Sequence, residues 1–436
     1  MKTLIKNVRA VDPQVGLDAV VDVLIDEGKI AQVGADLAAT SPEAAAADEV
    51  RDLAGKILVP GLVDIHVHLR EPGFEYKEDV ASGTRAAVHG GFTDICCMAN
   101  TKPVVDTAAL VEFVKDRALA ADNCNVHVAG ACTQGLKGEA LAEMGDMDAH
   151  GAVAYTDDGR GIQNAGMMRR VMDYAVQFGH PIMDHCQDES LVDAGQVNEG
   201  VASTRLGMLG WPAAGEELHI ARDIELARLT GAHLHIQHLT SAHGLDIVRK
   251  AKAEGSTVTC EVTPHHMFLT EDLIGEDYNT YLKVNPPLRT ADDAKALIAG
   301  VVDGTVDCIV TDHAPHSENE KAREFELAPF GMTGIETSVG AVLTNLVKPQ
   351  VIGYDRMVEL MAVNPRKIIG IEPVKIEPGS AASLTIIDPE LAWTVTADDF
   401  ESKAKNCGFI GASFVGRATD VYVNGVAKMR DGELVK

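Results

Sequence analysis

Ile57-Leu58-Val59-Pro60-Gly61-Leu62-Val63-Asp64-Ile65-His66-Val67-His68-Leu69-Arg70 begins as an apolar, β-branched run and ends in alternating polar and apolar side chains. In an extended strand successive side chains point to opposite faces, so this spacing puts His66, His68 and Arg70 on one face and Ile65, Val67 and Leu69 on the other. Taken alone, the His-x-His pair reads equally well as packed histidines or as the start of a metal site.

The stretch is the first of eight. Short β-branched runs recur at Leu62 to His66, Thr93 to Met98, Val126 to Ala129, Ala152 to Tyr155, Pro181 to His185, His233 to Gln237, Thr257 to Val262 and Cys308 to Thr311, each followed by a polar turn and a longer helix-like segment. That alternation predicts a parallel α/β fold, and eight strands are the number that closes a (β/α)8 TIM barrel. An open doubly wound sheet is the alternative, but no GxGxxG or GxxxxGK[ST] follows any run, so no nucleotide site argues for it.

The 436 residues accommodate a barrel of about 250 residues and a small accessory domain. Both ends read as short strands and tight turns: Leu4 to Val8, Val21 to Ile25 and Ile30 to Val33 at one end, Leu384 to Ile387 and Val421 to Val423 at the other, the last beside Asn424-Gly425. The economical reading joins residues 1–55 and 371–436 in one small β-sandwich-like domain and gives 56–370 to the barrel. Ala39 to Asp48, with four consecutive alanines, reads as a loop or short helix.

With 38 Lys+Arg against 65 Asp+Glu the formal charge is −27, which disfavours nucleic acid and anionic membranes as partners. No apolar run reaches the ~18 residues that span a bilayer and no signal-peptide pattern opens the chain, so the expected compartment is the cytoplasm. The eight cysteines include no CxxC pair, and several lie in apolar runs, as buried structural thiols do.

Ligand-type residues recur where the apolar runs end. The fourth run leads into Tyr155-Thr156-Asp157-Asp158-Gly159, the fifth into Asp184-His185, the sixth into Gln237-His238 and the eighth into Thr311-Asp312-His313. Barrel enzymes place their chemistry at the C-terminal ends of the strands. Four His and two Asp at that rim suit two divalent cations with positions open to substrate, and separate structural roles for all six would be a coincidence.

Pro60 to Gly73 resembles the opening signature of class I dihydroorotases of the amidohydrolase superfamily. Met98-Ala99-Asn100-Thr101-Lys102-Pro103 is similar to that family's MPNTxP segment, Tyr155 to Gly159 to its aromatic-TDDG segment, and Thr311 to His316 to its TDHAPH signature. The resemblance spans about residues 1 to 430. It implies reversible, zinc-dependent cyclisation of N-carbamoyl-L-aspartate to (S)-dihydroorotate plus water, the third step of pyrimidine biosynthesis.

By matching positions, the resemblance gives His66 and His68 to one of two Zn2+ ions and His185 and His238 to the other, with Asp158 bridging and Asp157 a turn residue. Asp312 would sit at a zinc and serve as general acid and base, while a metal-bridging hydroxide attacks. Two Zn2+ less Asp158, Asp312 and hydroxide leave about one positive charge, to which Arg70 adds, so a dianionic substrate can enter an acidic protein. His68 lies beside substrate; Arg70, Asn100 and His316 would hold its free carboxylate, and Asn285, Phe330 and Gly331 complete the contacts. The charged stretch from His316 to Gly331 reads as a mobile loop.

His233, His235, His265 and His266 are assigned to packing or to hydrogen bonds behind the ligands, and His313 to orienting a neighbour. Related hydantoinases bridge their metals with a carboxylated Lys, for which the strand-four segment has no counterpart. Ala99 and Gln187 depart from the family pattern and are expected to touch no ligand. The rivals are another cyclic amidase, of hydantoinase or allantoinase type, and a non-catalytic partner of aspartate transcarbamoylase. No surface motif decides that association or a homodimer.

Overall fold

The computed structural model describes residues 2–435. Eight parallel strands follow one another in chain order: β1 (Leu62–Val67), β2 (Phe92–Cys97), β3 (Asn125–Gly130), β4 (Ala152–Tyr155), β5 (Ile182–Asp184), β6 (Leu234–Ile236), β7 (Val258–Val262) and β8 (Cys308–Ile309). The chain segment after β8 returns to β1, where Val67 bridges His313 and the His68 N–H donates to the His313 carbonyl at 2.9 Å. Each expected strand is present, its ends within two residues of the sequence reading.

Scarce aromatics leave the barrel interior to smaller side chains. Val63, Ile65, Cys96, Ala129, Ala154, Met183, Cys308 and Val310 form one buried cluster closed by Ile368 and Ile369. Helices cover the outside. Val80–Gly90, for example, starts at a reciprocal Asp79–Ser82 cap and stops at Gly91, whose φ of 100° suits glycine.

Strict alternation does not hold along β1. Its register against β2 shifts between Asp64 and Val67, so Ile65 joins the barrel interior while Val67 and Leu69 pack in the large cluster shared with the helices. Strand geometry ends at Val67, and Arg70 lies beyond it at φ 61°. A bulge and a left-handed turn, rather than period two alone, therefore bring His66, His68 and Arg70 to one side.

Both ends of the chain meet in a nine-stranded sheet, with Thr3–Asp12, Leu17–Asp26 and Lys29–Gly34 at one end and Leu384–Thr394, Ser413–Val423 and Val426–Arg430 at the other. Ile57–Pro60 is the link between them, parallel to Thr3–Asp12 and antiparallel to Leu384–Thr394. This sheet thus runs past the expected limit at residue 55, because the apolar run read as continuous is two strands. Gly61 is the joint: a Cβ there would sit 2.1 Å from Thr93 Oγ1, so no side chain fits where the chain passes into the barrel. Ala39 to Asp48 takes in the end of one four-residue helix, Leu37–Thr40, and the whole of another, Pro42–Ala45. All eight cysteines are buried and unpaired, and no helix among the described residues is long and apolar enough to cross a membrane.

Candidate metal centre

The C-terminal ends of the strands converge on a cavity of about 220 Å3 lined by His68, Arg70, Asn100, Asp158, His185, His238, Asn285, Asp312, His316, Phe330 and Gly331. Every residue singled out for the site is there except His66, which lies beneath at 0% exposure. Among the described residues no lysine lines the cavity. A larger groove of about 930 Å3 lies by the start of β3, where Asp94 pairs with Arg366 and His127, and Lys428 with Asp122.

Within the cluster two carboxylates face four imidazoles. His66 Nε2 lies 3.6 Å from Asp158 and 3.5 Å from Asp312; His68 Nε2 is 3.0 Å from Asp312 and 3.6 Å from Asp158. On the other side His185 Nδ1 is 3.6 Å from Asp158 and 2.8 Å from His238 Nε2.

The outer nitrogens decide what the inner ones can be. His66 Nδ1 contacts Glu261 at 2.5 Å, His68 Nδ1 contacts Asn100 Oδ1 at 3.0 Å, and His185 Nε2 contacts Gln187 Oε1 at 3.0 Å. Each outer partner is an oxygen acceptor, so each ring donates its N–H outward and turns a lone pair inward, toward carboxylate oxygens. Lone pairs facing lone pairs repel unless a proton or a metal cation lies between them. His66 Nε2 and His238 Nδ1 are buried without any hydrogen-bond partner among the described residues. Imidazole and carboxylate donors in this number fit divalent zinc.

Electrostatics agree. Burial lowers the affinity of His66 for a proton, yet Glu261 and Asp312 outweigh it and raise its pKa well above the usual value. Burial pushes Asp158 and Asp312 up, but the surrounding histidines hold both carboxyls well below the ordinary range. The cluster is a trap for positive charge. Three of its residues also sit in the left-handed region that L-residues avoid, Arg70 at φ 61°, His238 at φ 28° and Asp312 at φ 44°. Such backbone costs of order 1–3 kcal/mol each and gathers at functional sites.

Asp157 is turned away from the cluster: its carboxylate accepts the Cys132 and Thr133 N–H groups, both at 3.0 Å, and the Thr133 hydroxyl. Asn100 spends its amide on His68 and on Asp158 Oδ2, the latter at 2.9 Å. Arg70 Nε donates to the Pro315 carbonyl at 3.1 Å, and neither Glu71 nor Glu75 pairs with it. His316 donates Nε2–H to the Phe330 carbonyl at 2.7 Å and faces Lys77 with Nδ1 at 3.2 Å. The side chain of His313 turns to the Gly334 N–H; its carbonyl, not its ring, meets His68.

One expectation is corrected. Gln187 does touch a cluster histidine, since its amide oxygen meets both His185 Nε2 and Asn285 Nδ2; the contact comes from a loop whose path the sequence does not show. The stretch from His316 to Gly331 meets its surroundings through lysine contacts to backbone carbonyls. Lys283 Nζ donates to the carbonyls of Phe325, Glu326 and Ala328, and Lys321 Nζ to those of Thr280 and Pro329. Sequence reasoning missed Glu261, although a lone Glu inside an apolar strand is a signal, because a buried carboxylate needs partners. It also gave no role to Asp64, which burial raises to about 6 and which ties β1 to the Thr311 N–H and hydroxyl.

L-hydantoinase (dihydropyrimidinase) of Arthrobacter aurescens superposes with a TM-score of 0.89 at 26% identity, covering 100% of this chain and 97% of that one. D-hydantoinase from Thermus sp. shares the fold, with a TM-score of 0.86 at 24% identity over 99% and 96% of the two chains. Barrel and site thus define a cyclic amide hydrolase of the amidohydrolase superfamily. A model described as dihydro-orotase-like matches residues 55–244. The dihydroorotase of Pelotomaculum thermopropionicum is 48% identical over 431 residues, 99% of each chain, and that of Geobacter metallireducens 46% over 425 residues, 98% of this chain and 99% of the relative. The chain belongs to the dihydroorotase family.

Proposed function

We propose that the cavity interconverts N-carbamoyl-L-aspartate and (S)-dihydroorotate, with His66, His68, Asp158, His185, His238 and Asp312 holding two zinc ions. One observation carries this reading: His66, His68 and His185 each meet an outer oxygen acceptor with one ring nitrogen and turn the other toward Asp158 or Asp312. When bound, the metal pair supplies a hydroxide nucleophile at neutral pH and polarises the amide carbonyl.

The chain's own residues do the rest. Asp312, held ionised beside His68, accepts a proton during ring opening and returns it to the departing nitrogen; in ring closure it starts protonated. Arg70, whose Nη1 makes no hydrogen bond among the described residues, holds the free carboxylate, and Asn100 and His316 join it on exchanging their present partners, Asp158 and the Phe330 carbonyl, for substrate. The donor end of Asn285 is committed to Gln187, and its buried Oδ1 has no partner among the described residues, so it accepts from a substrate N–H. Backbone groups of Phe330 and Gly331 close the far wall.

All of these residues fall between 56 and 370, the stretch we assign to the catalytic unit. Unpaired buried thiols favour a reducing compartment, the cytoplasm. Purified protein given N-carbamoyl-L-aspartate is expected to form dihydroorotate and to carry two zinc ions per chain. A metal-loaded sample that turns over neither compound rejects the reading.

A further inference from the structure

Glu261 lies in β7 at 0% exposure, where an unpaired carboxylate would cost several kcal/mol. Burial would raise its pKa, but His66 and His235 hold it down to about 2. Its two oxygens meet three donors. Oε1 meets His66 Nδ1 at 2.5 Å and the His238 backbone N–H at 3.0 Å, and Oε2 meets His235 Nε2 at 3.0 Å.

Behind it the hydrogen bonds run in one direction. His235 donates to Glu261, so its Nδ1 accepts from the Thr259 hydroxyl at 2.8 Å, and Thr259 in turn accepts from His233 Nε2 at 2.8 Å. Every member is satisfied only if Glu261 remains the final acceptor, which leaves His66 Nδ1 no choice but to donate. The bond to the His238 N–H braces a residue at φ 28°, whose ring lies 5.2 Å from that of His66.

We propose that Glu261 is a positioning residue for both cation sites: one carboxylate locks the His66 ring with Nε2 facing inward and pins the strained backbone of His238. The proposal rests on the two-metal reading above. It is tested by chelator competition for zinc on purified protein. Glu261→Gln presents an N–H2 to one of the two rings and is expected to weaken zinc binding by about 10–100-fold. Thr259→Val, which interrupts the chain behind His235 and spares the Glu261–His66 contact, is expected to keep near wild-type affinity.

Wild-type affinity in Glu261→Gln overturns the proposal, and so does an equal loss in both variants, which would mark a general packing effect. If Glu261→Gln does not fold, Glu261→Asp, which draws the carboxylate back by one methylene, must show the same selective loss; normal zinc affinity there overturns the proposal equally. Wild-type protein that binds no zinc under the same conditions overturns the metal reading itself, an outcome distinct from a failure confined to Glu261.

Discussion

The amide oxygen of Gln187 lies 3.0 Å from His185 Nε2 and 2.9 Å from Asn285 Nδ2, joining a cluster histidine to a cavity wall. A carboxylate accepts the same two bonds and an aliphatic side chain accepts neither. Gln187→Glu is therefore expected to keep turnover close to wild type. Gln187→Leu is expected to lose about 10–100-fold in zinc affinity, because the His185 ring is freed to rotate. Chelator competition with both variants checks this, and equal affinity in the two would count against the bond.

Asp312 is expected to be the proton carrier, since its carboxylate sits 3.0 Å from His68 Nε2 at the cavity floor. Asp312→Asn should lower the turnover number by about 10²–10⁴-fold while the protein still binds zinc, read from initial rates and metal analysis of one sample. Ring closure needs the protonated acid and ring opening the carboxylate, so acid should favour closure and alkali opening. Parallel rate profiles in the two directions across about pH 6 to 9 would remove Asp312 from this role.

Among the described residues Arg70 is the one guanidinium at the cavity. Replacing it by Gln keeps a donor but removes the charge that meets a carboxylate. Charge-assisted hydrogen bonds of about 1.5–3 kcal/mol correspond to a rise in KM of about 10–100-fold for both substrates. Steady-state kinetics with unchanged KM would assign the carboxylate to another residue.

At the start of β6, burial pulls the His233 imidazole down to about 4, with His235 and Lys252 adding to the effect. An unfolded imidazole titrates near 6.5, so as pH falls from about 6.5 to about 4 the unfolded chain takes up a proton that the folded chain refuses. Stability conferred by the neutral ring is therefore full above that window and lost through it, by at most about 3 kcal/mol at 1.36 kcal/mol per unit. Urea denaturation at about pH 7 and about pH 4.5 should show a smaller acid loss in His233→Asn than in wild type. Equal losses would refute the assignment.

The barrel was legible because strands covered on both faces read as apolar runs, and their ends carried the His and Asp residues that later met in the cavity. What stayed hidden was tertiary. The division of Ile57 to Val63 into two strands depends on the closeness of Gly61 to Thr93, and the part played by Gln187 depends on where Asn285 arrives. Glu261 and His66 are 195 residues apart in the chain, so their contact has no local signature, although the oddity of a carboxylate in β7 does. The lysine contacts of the stretch from His316 to Gly331 were equally unreadable, since they are made to backbone carbonyls.

The strand Ile57–Pro60 has a consequence for how the molecule is made. Its two neighbours are Thr3–Asp12 and Leu384–Thr394, so during synthesis the two earlier strands wait with an open edge until Leu384–Thr394 leaves the ribosome. An unpaired edge recruits whatever extended chain is nearby. Late truncations, or bulky tags that delay the last strands, should harm yield through aggregation of nascent protein while leaving every catalytic side chain untouched.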